Sequence, residues 1–379
     1  MLYRFAGGRH DGRNPGARLI DVNGTLYGTT LAGDDCKHGN DLGCGTVFSV
    51  STARSEKVVH RFTGGADGWL PLASLIDHNG TLYGTTRYGG GSGCVEYFGC
   101  DTIYTISASG AEKVFYAFGS YANGTQPFAR LIDIGGTLYG TTWHGGTSNN
   151  GTVFSVSRAG VETVLHSFGG SPDGALPIAG LINIKGTLYG TTSGGGTGCS
   201  SSGGCGTVFS ISTSGAEKVL YSFAGGTDGS YPNAGLTEVN GTMYGTTSPD
   251  ICCSSGTGWG TVYRVSTTGE EKVLHHFGRR LDGSQPIAGL INVKGALYGT
   301  TETGGSSGCS KYPVGCGTVY SISTTGTEKV LHIFPSATDG WFPLAGLTYL
   351  SGKLYGTTAF GGSSHCAKAG CGTVFALSI

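Results

Sequence analysis

The side chains best suited to chemistry in this chain stand just beyond one recurring heptapeptide. Arg87-Tyr88, Trp143-His144, Glu302 and Phe360 directly follow its copies, while Arg9, His10, Arg13, Trp69, Tyr121, Gln126, Tyr231, Arg279, Arg280 and Trp341 lie in the segments leading to the next unit. Aromatic rings beside arginine and polar groups suit a carbohydrate chain, because sugar C–H faces pack on rings while hydroxyls take directed hydrogen bonds. Arginine adds bidentate pairing with a uronate or sulfate. The ligand-binding candidates are therefore Arg9, His10, Arg13, Trp69, Arg87, Trp143, His144, Arg279, Arg280 and Trp341. For catalysis the candidates are His10, His144, Arg87 and Glu302. A lyase would use His10 or His144 as base with Arg9, Arg87 or Arg279 at the carboxylate; a glycosidase would pair Glu302 with Asp34 or Asp35. No metal or cofactor is expected.

What positions these residues is the heptapeptide GTLYGTT at Gly24 and its relatives at Gly80, Gly136, Gly186, Gly241, Gly295 and Gly352. The spacings of 56, 56, 50, 55, 54 and 57 residues mark a repeat architecture. Each unit reads as four short strands rich in Val, Ile, Leu, Tyr, Phe and Thr, separated by Gly, Asn and Ser turns, with no helical period. Neighbouring apolar residues such as Leu188-Tyr189 and Val208-Phe209 imply burial on both faces. Short turns join strands one to two and three to four, so each unit is an antiparallel meander. Seven meanders arranged radially make an all-β, seven-bladed β-propeller. One domain spans 1–379, with blades at 16–62, 72–118, 128–168, 178–223, 233–277, 287–334 and 344–379 plus 1–5. The opening Leu2-Tyr3-Arg4-Phe5 matches a fourth strand and the chain ends in a third, so the N-terminal strand should complete the last blade.

GTLYGTT, the GTVFSVS strand and the DGxxPxAxLI entry to each blade resemble the GloVer tandem-repeat proteins, bacterial exported proteins similar to kelch-type propellers. The resemblance covers essentially the whole chain. It implies the fold and an exported protein, and it carries no catalytic signature.

Twelve cysteines recur after the heptapeptide as Cys36/Cys44, Cys94/Cys100, Cys199/Cys205, Cys252/Cys253, Cys309/Cys316 and Cys366/Cys371. Local disulfides fit this pattern better than zinc, since no further C-x-x-C or regular histidine supplies the missing ligands. For adjacent Cys252 and Cys253, a vicinal disulfide and two free thiols both stand open. Charged residues make up 12% and the net charge is −1, so nucleic acid is a poor partner. Apolar runs are too short to insert in a membrane as helices. Met1 runs straight into the first strand without a visible leader, and a monomer located outside the cytoplasm is expected.

Asp11, Asp67, Asp173, Asp228, Asp282 and Asp339, with Asn123, occupy one repeated position and should bond turn amides. His60, His166, His275 and His332 alternate with Tyr116 and Tyr221 and read as packing residues. Both loop sets that vary leave from one face of the ring, so specificity should reside there. The blade-three loop, Trp143 to Asn150, has eight residues against twelve to fifteen elsewhere and no cysteine, which predicts a notch floored by Trp143 and His144. A binding or adhesion propeller for a polysaccharide or surface protein is the favoured reading; a polysaccharide-active enzyme is the alternative.

Overall fold

A computed structural model describes residues 1–8, 11–33, 36, 43–90, 101–107, 109–199, 203–248, 259–278, 281–305, 315–336, 338–362, 366 and 370–379. Seven four-stranded antiparallel sheets follow one another around a ring. Blade one is Ile20–Val22, Thr25–Thr30, Thr46–Ser51 and Glu56–Arg61, paired in that order. Blades two to six repeat it. In blade seven the order is Thr348–Leu350, Lys353–Thr358, Thr373–Ser378 and then Tyr3–Arg4, with Tyr3 opposite Val374. The N-terminal strand thus closes the ring. Among the described residues no helix is long and apolar enough to cross a membrane.

The heptapeptide can now be read residue by residue. Its Leu enters the core: Leu26, Leu188, Leu297 and Leu354 are fully buried. Its glycine lets a ring lie flat on the strand, for a Cβ at Gly28 would sit 2.7 Å from Phe48 Cζ. The first threonine reaches the next blade, as Thr85 Oγ1 donates to Pro127 O at 2.7 Å. The second bonds within its own blade: Thr30 and Thr46 hydroxyls lie 2.8 Å apart, and six further blades keep that distance. A buried hydroxyl must find such a partner or cost stability.

Rings glue blade to blade. Phe5 meets Phe48 edge-on at 5.0 Å, Phe62 meets Tyr104 at 4.9 Å, and Phe118 meets Phe154 at 5.2 Å. The series continues through Phe168–Phe209, Phe223–Tyr263, Phe277–Tyr320 and Phe334–Phe375, completing the circle. Each edge-to-face pair adds about 0.5–1.5 kcal/mol beyond burial. Phe5 belongs to this circle, so ring closure is a packing interaction as well as a strand pairing.

Three disulfides are placed: Cys36–Cys44, Cys199–Cys205 and Cys366–Cys371, with Cα separations of 5.2, 5.6 and 5.1 Å. Cys316 is also disulfide-bonded. Cys94, Cys100, Cys252, Cys253 and Cys309 lie outside the described residues. Disulfides at several blades accord with an oxidising compartment, extracellular or periplasmic.

Candidate functional site

Adjacent blades are stitched on the loop face by one residue per blade. Asn14, Leu70, Gln126, Leu176, Tyr231, Gln285 and Phe342, each just before the blade's proline, have φ between 52° and 60°. Such a conformation costs an L-residue about 1–2 kcal/mol, so the surrounding bonds must hold it. They do: Leu70 N–H donates to Cys44 O of the preceding blade at 3.0 Å, and Arg87 N–H donates to Leu70 O at 3.1 Å. Trp143 and Glu302 donate in the same way to Gln126 O and Gln285 O, at 3.0 and 2.9 Å. Arg87, Trp143 and Glu302 therefore share one fixed backbone position, and only their side chains vary around the ring.

The junction of blades two and three departs from this pattern. Six blades place glycine before the third strand (Gly45, Gly151, Gly206, Gly260, Gly317 and Gly372), each with φ between 88° and 96°. Blade two has Asp101 there, 3% exposed, and its carboxylate rather than a carbonyl accepts the Gln126 N–H. Burial pushes the Asp101 carboxyl up to about 7, against the Gln126 amide and the charge of Arg87, which draw it down.

Above Asp101 the Arg87 guanidinium lies 4.8 Å from the Tyr88 ring centre, 4.7 Å from Phe128 and 6.0 Å from Trp143. Trp143 in turn packs edge-on against Phe128 at 5.2 Å and, tilted at 37°, against His144 at 4.3 Å. Asn149 closes the short blade-three loop, its side-chain oxygen accepting from Gly145 N–H at 2.9 Å. Arg87 Nε and Gln126 Oε1 are buried and make no hydrogen bond among the described residues. One donor and one acceptor without partners, beside an aromatic wall, can receive a polar ligand.

The repeated Asp, His and Tyr positions form a second set. Asp173 accepts from Gly169 and Gly174 amides at 2.9 and 2.8 Å, and lies 3.0 Å from His166 Nε2. Tyr221 donates to Asp228 at 2.7 Å in the next blade, and Tyr3 to Asp11 at 3.0 Å. A glutamate from the following blade completes each group; burial pushes Glu56, Glu162, Glu217, Glu271 and Glu328 up to about 7. His166, Asp173 and Glu217, and likewise His275, Asp282 and Glu328, bring three ligand atoms within 4.8 Å and could hold a metal by donor type. Tyr116, Asn123 and Glu162 occupy the same places at the junction of blades two and three, with Asn123 donating to Glu162 at 3.0 Å. Interchange with Tyr and Asn makes the group an inter-blade latch, because a metal site would not survive loss of its ligands.

The profile of the Gloeobacter/Verrucomicrobia repeat matches residues 1–202, 43–258 and 199–379. The chain belongs to that repeat family. No curated protein matches it. Its fold is similar to a streptogramin B lyase (13% identity, 96% of this chain and 94% of that one, TM-score 0.58). It is also similar to virginiamycin B lyase from Staphylococcus aureus (11%, 90% and 91%, 0.55). A third is the GH93 α-L-arabinofuranosidase of Fusarium graminearum (10%, 99% and 98%, 0.52). Identities this low establish the shared propeller and nothing about chemistry.

In this Gloeobacter/Verrucomicrobia repeat protein, the sequence candidates Arg87, Trp143 and His144 come together, joined by Tyr88, Phe128 and Gln126. Trp69 stacks on Tyr88 at 4.9 Å and extends the aromatic wall. Trp341 is packed against Phe342 and Phe360 in the core, only 6% exposed, so it supports the loop face from beneath. Glu302 stands in blade six, across the ring from Trp143, with its carboxyl raised by burial. Arg13 pairs through its backbone with Ala32. Arg9, His10, Asp34, Asp35, Arg279 and Arg280 lie outside the described residues. Asp101 was missed although a signal existed, since it alone breaks the glycine at its repeat position.

Proposed function

We propose that the protein is an exported binding or adhesion propeller that recognises a polysaccharide, preferably an acidic one, at the junction of blades two and three. The observation that carries this reading is the Arg87 guanidinium, held among Tyr88, Phe128 and Trp143 with Nε unpaired. Stacking fixes the plane of the guanidinium, so an incoming carboxylate or sulfate meets a pre-oriented donor and little side-chain entropy is lost. Trp143 and Trp69 offer ring faces for the sugar. Gln126 Oε1 offers an acceptor for a hydroxyl.

A polysaccharide lyase is the second reading, favoured by one observation: His144 stacks on the same Trp143 that adjoins Arg87, bringing a base near a carboxylate-binding cation. Its ring Nδ1 lies 3.4 Å from Asn149 O. One experiment separates the two. Retention of the protein by neutral and acidic polysaccharides is measured alongside release of unsaturated products and reducing ends. Binding without turnover, lost in Trp143→Ala and Arg87→Ala, supports the binding protein. Turnover lost in His144→Ala establishes the lyase, and neither binding nor turnover overturns both.

A further inference from the structure

The segments leading into the innermost strands enclose a central channel of about 430 Å³, large enough for a small organic ligand. One repeat position, three residues after each blade's proline, faces it. That position is Arg18, Ser74 and Arg130 in blades one to three, and Gly180, Gly235, Gly289 and Gly346 in blades four to seven. The ring is therefore lopsided: two arginines flank a serine on one side, and four glycines leave bare backbone on the other.

Space beside these glycines is tight, most of all at Gly180. A Cβ at Gly289 would lie 3.1 Å from Gly235 O, one at Gly346 the same distance from Gly289 O and 3.5 Å from Arg18 Cδ. Arg18 thus arches over blade seven, while the backbone of Arg130 adjoins blade four, where a Gly180 Cβ would come within 2.8 Å of its carbonyl. Ser74 Oγ accepts the Arg18 N–H at 3.0 Å and fixes that side of the wall. No aspartate or glutamate lines the channel among the described residues, and neither guanidinium has an ion pair there. Burial, then the charge of Arg130, lowers Arg18 to about 10, which leaves it charged at neutral pH. Two like charges enclosed in a narrow ring repel one another and concentrate positive potential. Scaffold needs explain neither arginine, because four blades manage with glycine.

We infer that the channel is an anion site, in which Arg18 and Arg130 clamp one small oxyanion, a carboxylate or phosphate, against the glycine wall. The site is separate from the loop-face reading and does not depend on it. Guanidinium forks match carboxylate and phosphate oxygens in pairs, and an enclosed anion would relieve the repulsion.

The test is isothermal titration calorimetry of the full chain at low ionic strength with inorganic phosphate, D-galacturonate and, as the neutral control, D-galactose. One equivalent of phosphate or galacturonate should bind, and galactose should not; which anion binds identifies the source. Arg18→Gly and Arg130→Gly install the residue that four other blades carry, and each should weaken binding at least tenfold. Their melting temperatures at low salt should match or exceed the wild type. Should either variant unfold, Arg18→Lys and Arg130→Lys keep the charge and should still bind several-fold more weakly. Absence of anion binding to the wild type, equal affinity for galactose, or a loss confined to one arginine would overturn the clamp.

Discussion

The guanidinium of Arg87 lies 4.7 Å from the ring centre of Phe128, and this contact ties the second blade to the third. Phe128 also lines the central channel. The aromatic wall of the loop face and the lining of the channel thus share a side chain.

Arg87→Ala should destabilise the fold by about 1 kcal/mol, the usual worth of a partly shielded cation–π contact, while abolishing retention on acidic polysaccharide. Arg87→Lys should recover stability more than binding, because lysine keeps the charge and loses the planar fork. Chemical denaturation and affinity retention on the two variants check this; equal recovery of both would argue against a pre-oriented donor.

Binding of an acidic ligand near Arg87 should strengthen as pH falls through about 7. Asp101, held near that value by burial, is neutral below it and charged above it, where it competes with the ligand for Arg87. Asp101→Asn should flatten the profile. Affinity measured from pH 5.5 to 8.5 decides it.

Thermal stability should be higher near pH 5 than near pH 8. Glu56, Glu162, Glu217, Glu271 and Glu328 are raised to about 7 in the folded ring, so between the ordinary value near 4.5 and 7 the native state holds more protons than the unfolded chain. Stability then falls as pH rises through that window. His166, lowered by burial but raised on balance by its hydrogen bond and charge pairing with Asp173, contributes in the same direction. Glu217→Gln should reduce the slope, as followed by calorimetry across the range.

Removing residues 1–6 should lower the melting temperature sharply, since it strips the pairing of Tyr3 with Val374 and the fully buried Phe5 together. Phe5→Ala alone should cost about 3–5 kcal/mol. A ring that melts unchanged without this segment would refute closure by the N-terminal strand.

Reduction should destabilise the ring without unfolding it. On the chain-entropy account, closures of this size contribute about 2 kcal/mol each. Cys199→Ser with Cys205→Ser should reproduce one such step in a denaturant titration.

Much of this was legible beforehand because a repeat averages out chance. Seven copies of the heptapeptide, four of them GTLYGTT and three close relatives, indicated blade number, strand order and turns, since each strand's period and each short turn admits one local solution. Just beyond the heptapeptide's threonines, the residues that differ from unit to unit include Arg87 and Trp143, which meet in the structure. The glycine position before the third strand is likewise broken by Asp101, and the channel position by Arg18 and Arg130. Trp341, a ligand-binding candidate by sequence, lies in the core, because sequence position near a loop says nothing of depth.

By itself the sequence determined the repeating unit, for strand propensity, turn chemistry and alternation act over a few residues. Only the tertiary structure decided which unlike residues meet. Arg87 and Phe128 are far apart in the chain, and Arg18 and Arg130 are two blades apart. They are brought together because ring closure converts a linear spacing into a circle, and in a circle the residues that break the pattern face each other across shared space.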